Sequence, residues 1–484
     1  MTINRTEKRA GWGRRDFLRG AAAIGAAAAL PPVAASAQAS SPYTHLPPRG
    51  EVVIRNAYVL TMDDKLGDLP NADIHLRNGA IVAIGPGLKA PGAKAIDGKT
   101  MIALPGLIET HWHMWGTAAR NTAGDTAKMG YFSFAKAVGA IFKPEDNARG
   151  VRLAIAEAIN SGLTTVHNWS HNIVSPAFAD AELEAHRAMG HRALFGYGYF
   201  GIGMQNQIVN VDDLKRVDER WIKGSEGLLT LGICSRGPEN NSIDLCRVEW
   251  EAARKLGLRI STHVGTSMAR VKERQAIKQL QQAGFLGPDV ILVHDTNMVD
   301  NDTEILAKTG THVSLSPFTE MRTGFGIPPV GELIKAGVPL SLSIDTSVLA
   351  GNCDMFAVMK AILNVANGEA QSEFAMPARR ALEMATMGGA RALGIADRVG
   401  SLAPGKRADI ILVRTTDVNM APFTDPDRMI VQSASPANVD TVMIDGRVLK
   451  HGGKLVGIDV ARIVREANDT ARRVRAEAER VGRG

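Results

Sequence analysis

"PGLIETHWHMWG", residues 105–116, places His111 and His113 one residue apart at the end of a short apolar run that opens with Pro-Gly. Side chains on a β-strand alternate between its two faces, so residues two apart point the same way. On a strand both imidazoles face one side, with Trp112 facing the other. Imidazole is the commonest side-chain metal ligand, and two on one strand face can grip one ion. An isolated H-x-H also occurs in ordinary loops, so the choice between a metal clip and a turn falls to the rest of the chain.

Seven more short apolar runs follow, at Thr164–Ser170, Arg192–Phe200, Leu228–Ser235, Arg259–Thr266, Val290–Thr296, Thr311–Pro317 and Pro339–Thr346. With Leu107–His113 they make eight. Between several of them lie helical patterns such as "ARGVRLAIAEAINSG", "LCRVEWEAARKLG" and "VGELIKAG", which end at glycine as helices commonly do. Eight such units predict an α/β fold with a (β/α)8 TIM-type barrel over residues 104–395 and an active site at the C-terminal strand ends. The polar outliers fall at those ends: His111 and His113 on run one, His263 in "ISTHVGT", His294 in "ILVHDT" and Asp345 in "LSLSIDTS". Packing alone would place Val or Ile there.

The flanks read differently. "EVVIRNAYVLTMD", "ADIHLRNGAIVAIGP" and "AKAIDGKTMIALPG" are short apolar runs split by Asn-Gly and Gly-Pro turns, and a similar set returns in "GSLAPGKRADIILVR" and "VDTVMIDGRVLKHGGKLV". This predicts a small composite β-sandwich domain formed by both chain ends, residues 50–103 and 396–456. Residues 457–484 are basic and amphipathic and read as a packing helix.

The 484-residue chain has a net charge of +6, but residues 1–39 hold Arg5, Lys8, Arg9, Arg14, Arg15 and Arg19 against only Glu7 and Asp16. The rest is close to neutral, which argues against a nucleic-acid partner. "GRRDFLRGAAAIGAAAALPPVAASAQA" pairs two arginines with a short Ala-rich run and A-x-A spacings, so residues 1–39 read as a twin-arginine export signal and the mature protein as periplasmic or secreted. No later stretch is apolar enough for stable membrane insertion. Three cysteines, Cys234, Cys246 and Cys353, are too few for a disulfide scaffold.

Beyond H-x-H, the longer stretches "PGLIETHWH", "SPFTEMRTGFGIPPVGELIKAGVPLSLSIDTS", "GNCDMF", "ATMGGARALG" and "GSLAPGKRADIILV" resemble the amidohydrolase superfamily, within it the cytosine deaminase-like and triazine hydrolase-like branch. The resemblance covers most of the mature chain. It implies that His111, His113, His263 and Asp345 bind one divalent metal ion, with zinc the first choice and iron or manganese the alternatives. It also implies that His294 and Asp345 are the catalytic pair around the attacking water. Binuclear relatives bridge two ions through a lysine on strand four, and "LLTLGICSR" has none, which favours a single ion. The resemblance also leaves room for a homo-oligomer.

Two departures stand out. Deaminases of this branch carry H-x-x-E on strand five, whereas here Thr266 follows His263 at that spacing, and a hydroxyl cannot replace a carboxylic acid as proton donor. Glu320 stands where relatives often have asparagine. It could restore the acid, bind a cationic substrate or form a surface ion pair. Trp115, His167, Trp169, Glu320 and Thr266 are the candidate substrate contacts, the tryptophans as stacking surfaces for a flat ring; for His167 a structural hydrogen bond is an equal alternative.

The expected function is hydrolysis of a C–N bond in a small cyclic or aromatic substrate. Amide, urea or carbamate cleavage comes first because it tolerates loss of the strand-five glutamate. Heterocycle deamination is second and dehalogenation third. A periplasmic metal- or ligand-binding protein is the non-enzymatic alternative.

Overall fold

The computed structural model describes residues 41–127, 130–199 and 207–481. The export signal expected at 1–39 lies outside the described residues. Two sheets organise the remainder. The first strands are β1 (Glu51–Val59), β2 (Leu69–Arg77), β3 (Ala80–Gly85), β4 (Lys94–Asp97) and β5 (Met101–Pro105). The chain then enters the barrel through β6 (Leu107–Trp112), β7 (Leu163–Ser170), β8 (Arg192–Tyr197), β9 (Leu229–Ser235), β10 (Arg259–Val264), β11 (Val290–His294), β12 (His312–Leu315) and β13 (Leu340–Leu342). It leaves through β14 (Ile410–Arg414), β15 (Val439–Ile444), β16 (Arg447–His451) and β17 (Lys454–Leu455).

Strands β6 to β13 pair in sequence order, every neighbour parallel. All eight runs read from the sequence correspond to these strands; seven are shorter by one or more residues, and β7 begins one residue earlier, at Leu163. The barrel closes where Trp112 bridges Asp345 in parallel fashion. The helices between strands follow ordinary terminus chemistry. The one at Pro144–Ser161 starts with proline and two acidic residues in its first turn and stops at Gly162 in the left-handed region.

The other strands form one continuous sheet from both chain ends, in which β5 pairs antiparallel with β14 over Pro105–Met101 against Ile410–Arg414. Strand β1 is bulged between Ile54 and Ala57, which lets it pair with β2, β4 and β5 at once. The apolar face of this sheet, including Ile54 and Val59 on β1, Ile74 on β2, and Ile410 and Leu412 on β14, forms a core separate from that of the barrel. The Pro-Gly of the opening stretch joins the two sheets: a Cβ at Gly106 would lie 2.0 Å from Thr164 Oγ1, so only glycine lets β6 start this close to β7.

The final helix, Val460–Val481, packs through Ile463, Ala467 and Val474, and its Thr470 hydroxyl donates to Asp146 Oδ1 at 3.0 Å. No helix among the described residues is long and apolar enough to cross a membrane. All three cysteines are buried and free.

At the end of the barrel away from the catalytic strand ends, Arg192 on β8 makes a two-pronged bond to Asp409, at 2.7 and 2.9 Å, and both side chains are almost fully buried. Asp409 also accepts the Asp445 amide at 2.9 Å, so this pair ties the barrel to the two-ended sheet. Removing one partner of such a pair strands a buried charge. Arg192→Ala is expected to lower stability by about 3–5 kcal/mol, read as a clear drop in the urea midpoint. An unchanged midpoint would show that the pair does not join the two layers.

Candidate active site

The strand-end residues picked out in the sequence converge at the catalytic end of the barrel. His111 Nε2 lies 3.2 Å from Asp345 Oδ1 and 3.2 Å from His263 Nε2. His113 Nε2 is also 3.2 Å from Asp345 Oδ1. Donor atoms of His111, His113 and Asp345 all lie within 4.8 Å of one another, as do those of His111, His263 and His294. Two nitrogen or oxygen donors on one tetrahedral ion, with bonds of about 2.0–2.1 Å, sit about 3.3–3.4 Å apart. The three 3.2 Å spacings are close to that edge, so these donors fit a divalent metal site in which His111 is common to both triplets.

The electrostatics agree. Burial, reinforced by the neighbouring imidazoles, holds His111 and His263 well below the usual histidine pKa, which keeps them in the neutral form that binds metal. Burial pushes the Asp345 carboxyl upward, but its contacts with His111 and His113 outweigh this and hold it well below the ordinary value. Asp345 is thus held as an anion beside His111 and His113.

The backbone pays for this convergence at the turns that carry His294 and Asp345. His294 and Asp345 both have positive φ, 76° and 64°, which costs a non-glycine residue about 1–3 kcal/mol. Local bonds hold them: the His113 amide donates to the Asp345 carbonyl at 2.7 Å, and the Asp295 amide to the Val264 carbonyl at 2.9 Å. Glu109 adds a brace. It is fully buried, and its two carboxylate oxygens accept the amides of His111 and Ile344, each at 2.8 Å, so one side chain links strand one to strand eight.

Glu320 has none of its surface exposed, which excludes the surface ion pair. Its Oε1 lies 3.2 Å from His294 Nδ1 and accepts the Ser316 amide at 2.7 Å. This leaves His294 Nε2 for the cluster. Burial works to depress the His294 pKa, but the bond to Glu320 and the surrounding carboxylates outweigh it and the pKa is raised.

The candidate substrate contacts divide. Trp115 lines a small cavity beside His113 together with Tyr131, Thr346 and Val348. Its indole donates to His171 Nδ1 at 3.4 Å. Trp169 is fully buried; its indole donates to Ser261 at 3.0 Å, and its ring packs edge-on against His263 with centroids 4.3 Å apart. Its contacts are those of a support for the histidines, and the stacking surface expected from the sequence is corrected accordingly. For His167 the contacts are those of the structural alternative: its buried Nδ1 is 2.9 Å from the Thr110 carbonyl and its Nε2 faces Cys234. Thr266 donates its hydroxyl to Glu239 at 3.2 Å.

Sequence reading missed Glu109, Glu239 and Tyr131. Glu109 was within reach, since it shares the alternation of His111 and His113 and is an acid inside an apolar strand. Glu239 and Tyr131 lie on loop and helix segments whose path no periodicity reveals. The Tyr131 hydroxyl bonds the Thr346 side chain and feels the Asp345 charge.

The model of the amidohydrolase family matches residues 102–449, and the chain belongs to that family. It is a metal-dependent hydrolase acting on C–N bonds. Among curated relatives, the 5'-deoxyadenosine deaminase of Methanosarcina mazei is 31% identical over 431 residues, spanning 87% of this chain and 98% of its own. The 5-methylthioadenosine/S-adenosylhomocysteine deaminase of Pelotomaculum thermopropionicum is 30% identical over 434 residues, 87% of this chain and 98% of its own. A solved adenosine deaminase of Xanthomonas campestris with bound zinc superposes with a TM-score of 0.81 at 25% identity, covering 89% of this chain and all (100%) of that one. The atrazine chlorohydrolase of Arthrobacter aurescens, complexed with zinc, shares the fold with a TM-score of 0.76 at 22% identity over 87% of this chain and 100% of its own.

Plasma mass spectrometry of the purified protein is expected to find about one equivalent of divalent metal, lost in His111→Ala; about two equivalents would mean a further bridging ligand. Glu320→Gln removes the carboxylate that raises the His294 pKa, so that pKa should fall. A rate limb that depends on protonated His294 should then move to lower pH, and an unmoved profile would show that Glu320 does not tune His294.

Proposed function

We propose that this enzyme is a zinc-dependent aminohydrolase that replaces the exocyclic amine of an adenine-type ring with oxygen, releasing ammonia. The single observation that carries this is the cluster of His111, His113, His263 and Asp345 donors at 3.2 Å spacing with His294 alongside, in a chain that spans nearly the whole length of nucleoside deaminases. Deamination, placed second on sequence grounds because of Thr266, moves ahead of amide or urea cleavage. The zinc assignment draws on the metal present in the solved relatives. Export to the periplasm is part of the same proposal and rests on residues 1–39 alone.

His111, His113, His263 and Asp345 would hold the ion, whose chemistry when bound would be to lower the pKa of a water from ~15.7 to roughly 7 and so make a nucleophile accessible at neutral pH. Asp345, ionised and beside His111 and His113, accepts a proton from the attacking water and returns it to the departing amine. His294, fixed through Nδ1 by Glu320, donates a hydrogen bond to the oxygen as charge builds on it. Trp115 and Tyr131 line a small cavity beside His113.

The zinc-loaded protein should release ammonia from adenosine, 5'-deoxyadenosine or 5'-methylthioadenosine, with the absorbance change of an adenine becoming a hypoxanthine. Asp345→Asn should abolish turnover. Turnover confined to amides or ureas would reject deamination and restore the other order.

A further inference from the structure

Nothing in the strand-five sequence supplies the carboxylic acid that ring deamination needs, because Thr266 stands three residues beyond His263. Attack on a ring carbon bearing an amine pushes electrons onto the adjacent ring nitrogen, which must be protonated as the C–O bond forms. Glu320 Oε1 accepts the Ser316 amide and lies against His294 Nδ1, while its Oε2 is buried without a hydrogen-bond partner; its hydrogen bonds tie it to His294 and Ser316, not to strand five.

A second buried carboxylate lies beside Thr266. Glu239, on the loop that follows β9, is only 2% exposed. Its Oε1 accepts the Gly265 amide at 2.7 Å and its Oε2 accepts the Thr266 hydroxyl at 3.2 Å. The carboxylate therefore sits one hydrogen bond beyond the Thr266 hydroxyl, about where the end of a longer acidic side chain at 266 would reach. Glu239 and His294 also feel each other's charge. Its path is constrained: Gly237 has a φ of 63°, and a Cβ there would lie 2.1 Å from Thr262 Oγ1, so the strand-four loop presses directly on strand five. Gly265 is pinned from its other side by the Asn297 side chain and amide, at 2.9 and 3.0 Å. Burial raises the Glu239 pKa, which favours the protonated form an acid catalyst needs.

We infer that Glu239, reaching across from the strand-four loop, is the proton donor to the ring nitrogen of the substrate. The role rests on the deamination reading. In the first step a water O–H bond breaks, oxygen bonds to the amine-bearing carbon, Asp345 takes the water proton, and the Glu239 carboxyl proton moves to the ring nitrogen. In the second step the carboxylate of Glu239 removes the remaining proton from that oxygen while Asp345 protonates the amine. The C–N bond breaks, ammonia leaves, a carbonyl remains, and both carboxyl groups return to their starting states. No electron acceptor or second reactant is required.

The test compares wild type, Glu239→Gln, Thr266→Glu and the double variant E239Q/T266E as zinc-loaded full-length proteins on the adenine nucleoside that wild type turns over fastest. Glutamine keeps the size of Glu239 and an oxygen for the Gly265 amide, so the loop retains its anchor. Glu239→Gln should lower kcat by about 10²–10⁴-fold with zinc content and urea midpoint unchanged, and the double variant should recover at least about tenfold of that loss. Glu239→Gln within about threefold of wild type, a loss of kcat that tracks lost zinc or lost stability, or a double variant no faster than Glu239→Gln would each overturn the assignment. If wild type deaminates no amino-heterocycle, the deamination reading itself fails and this role goes with it. If wild type is active and Glu239→Gln equally so, only the role of Glu239 fails.

Discussion

The closure of the barrel between its first and last strands is the constraint from which the site follows. Parallel strands β6 and β13 meet at the Trp112–Asp345 bridge, reinforced by the His113 amide on the Asp345 carbonyl at 2.7 Å. Glu109 spans the same seam from below, with one oxygen on each strand. Because two of the metal histidines are on strand one and the aspartate is on strand eight, residues more than two hundred positions apart become neighbours only when this seam closes. An unpaired edge here would separate these side chains and strip the Glu109 carboxylate of its bond from the Ile344 amide.

Buried carboxylates recur around the site, each tied to a different element. Glu109 locks the seam, Glu320 fixes the ring of His294, and Glu239 secures the turn after His263. Burying an acid is costly unless its oxygens are hydrogen-bonded, and each of these accepts at least one backbone amide. The same bonds position neighbouring groups to within the tolerance that metal coordination demands. The positive φ at His294 and Asp345 belongs to the same arrangement, with conformational cost at the site offset by fixed neighbours.

Much of this was legible before any coordinates. The eight apolar runs map onto the eight barrel strands because a parallel strand buried on both faces must be apolar along its length, and such runs stand out between helical patterns. The metal residues were legible for the complementary reason: a histidine or aspartate at the end of an apolar strand is exceptional. His167 and Trp169 defeated that logic. Both sit on a barrel strand among polar neighbours, but hydrogen bonds to Thr110 and Ser261 satisfy them internally, and no linear pattern separates a satisfied buried polar group from one that meets a substrate.

By itself the sequence determined the class of fold, the family and the set of candidate metal-binding side chains, because those depend on local periodicity and on residue types that have few other uses at strand ends. Only the tertiary structure decided what the remaining acids do. Glu320 turned from a candidate substrate contact into the partner of His294, and Glu239, unmarked in its loop, was brought against Thr266 from the neighbouring strand. The physical reason is that a carboxylate acts over a few ångströms in space, and the spacing between adjacent barrel strands is unrelated to the number of residues that separate them along the chain.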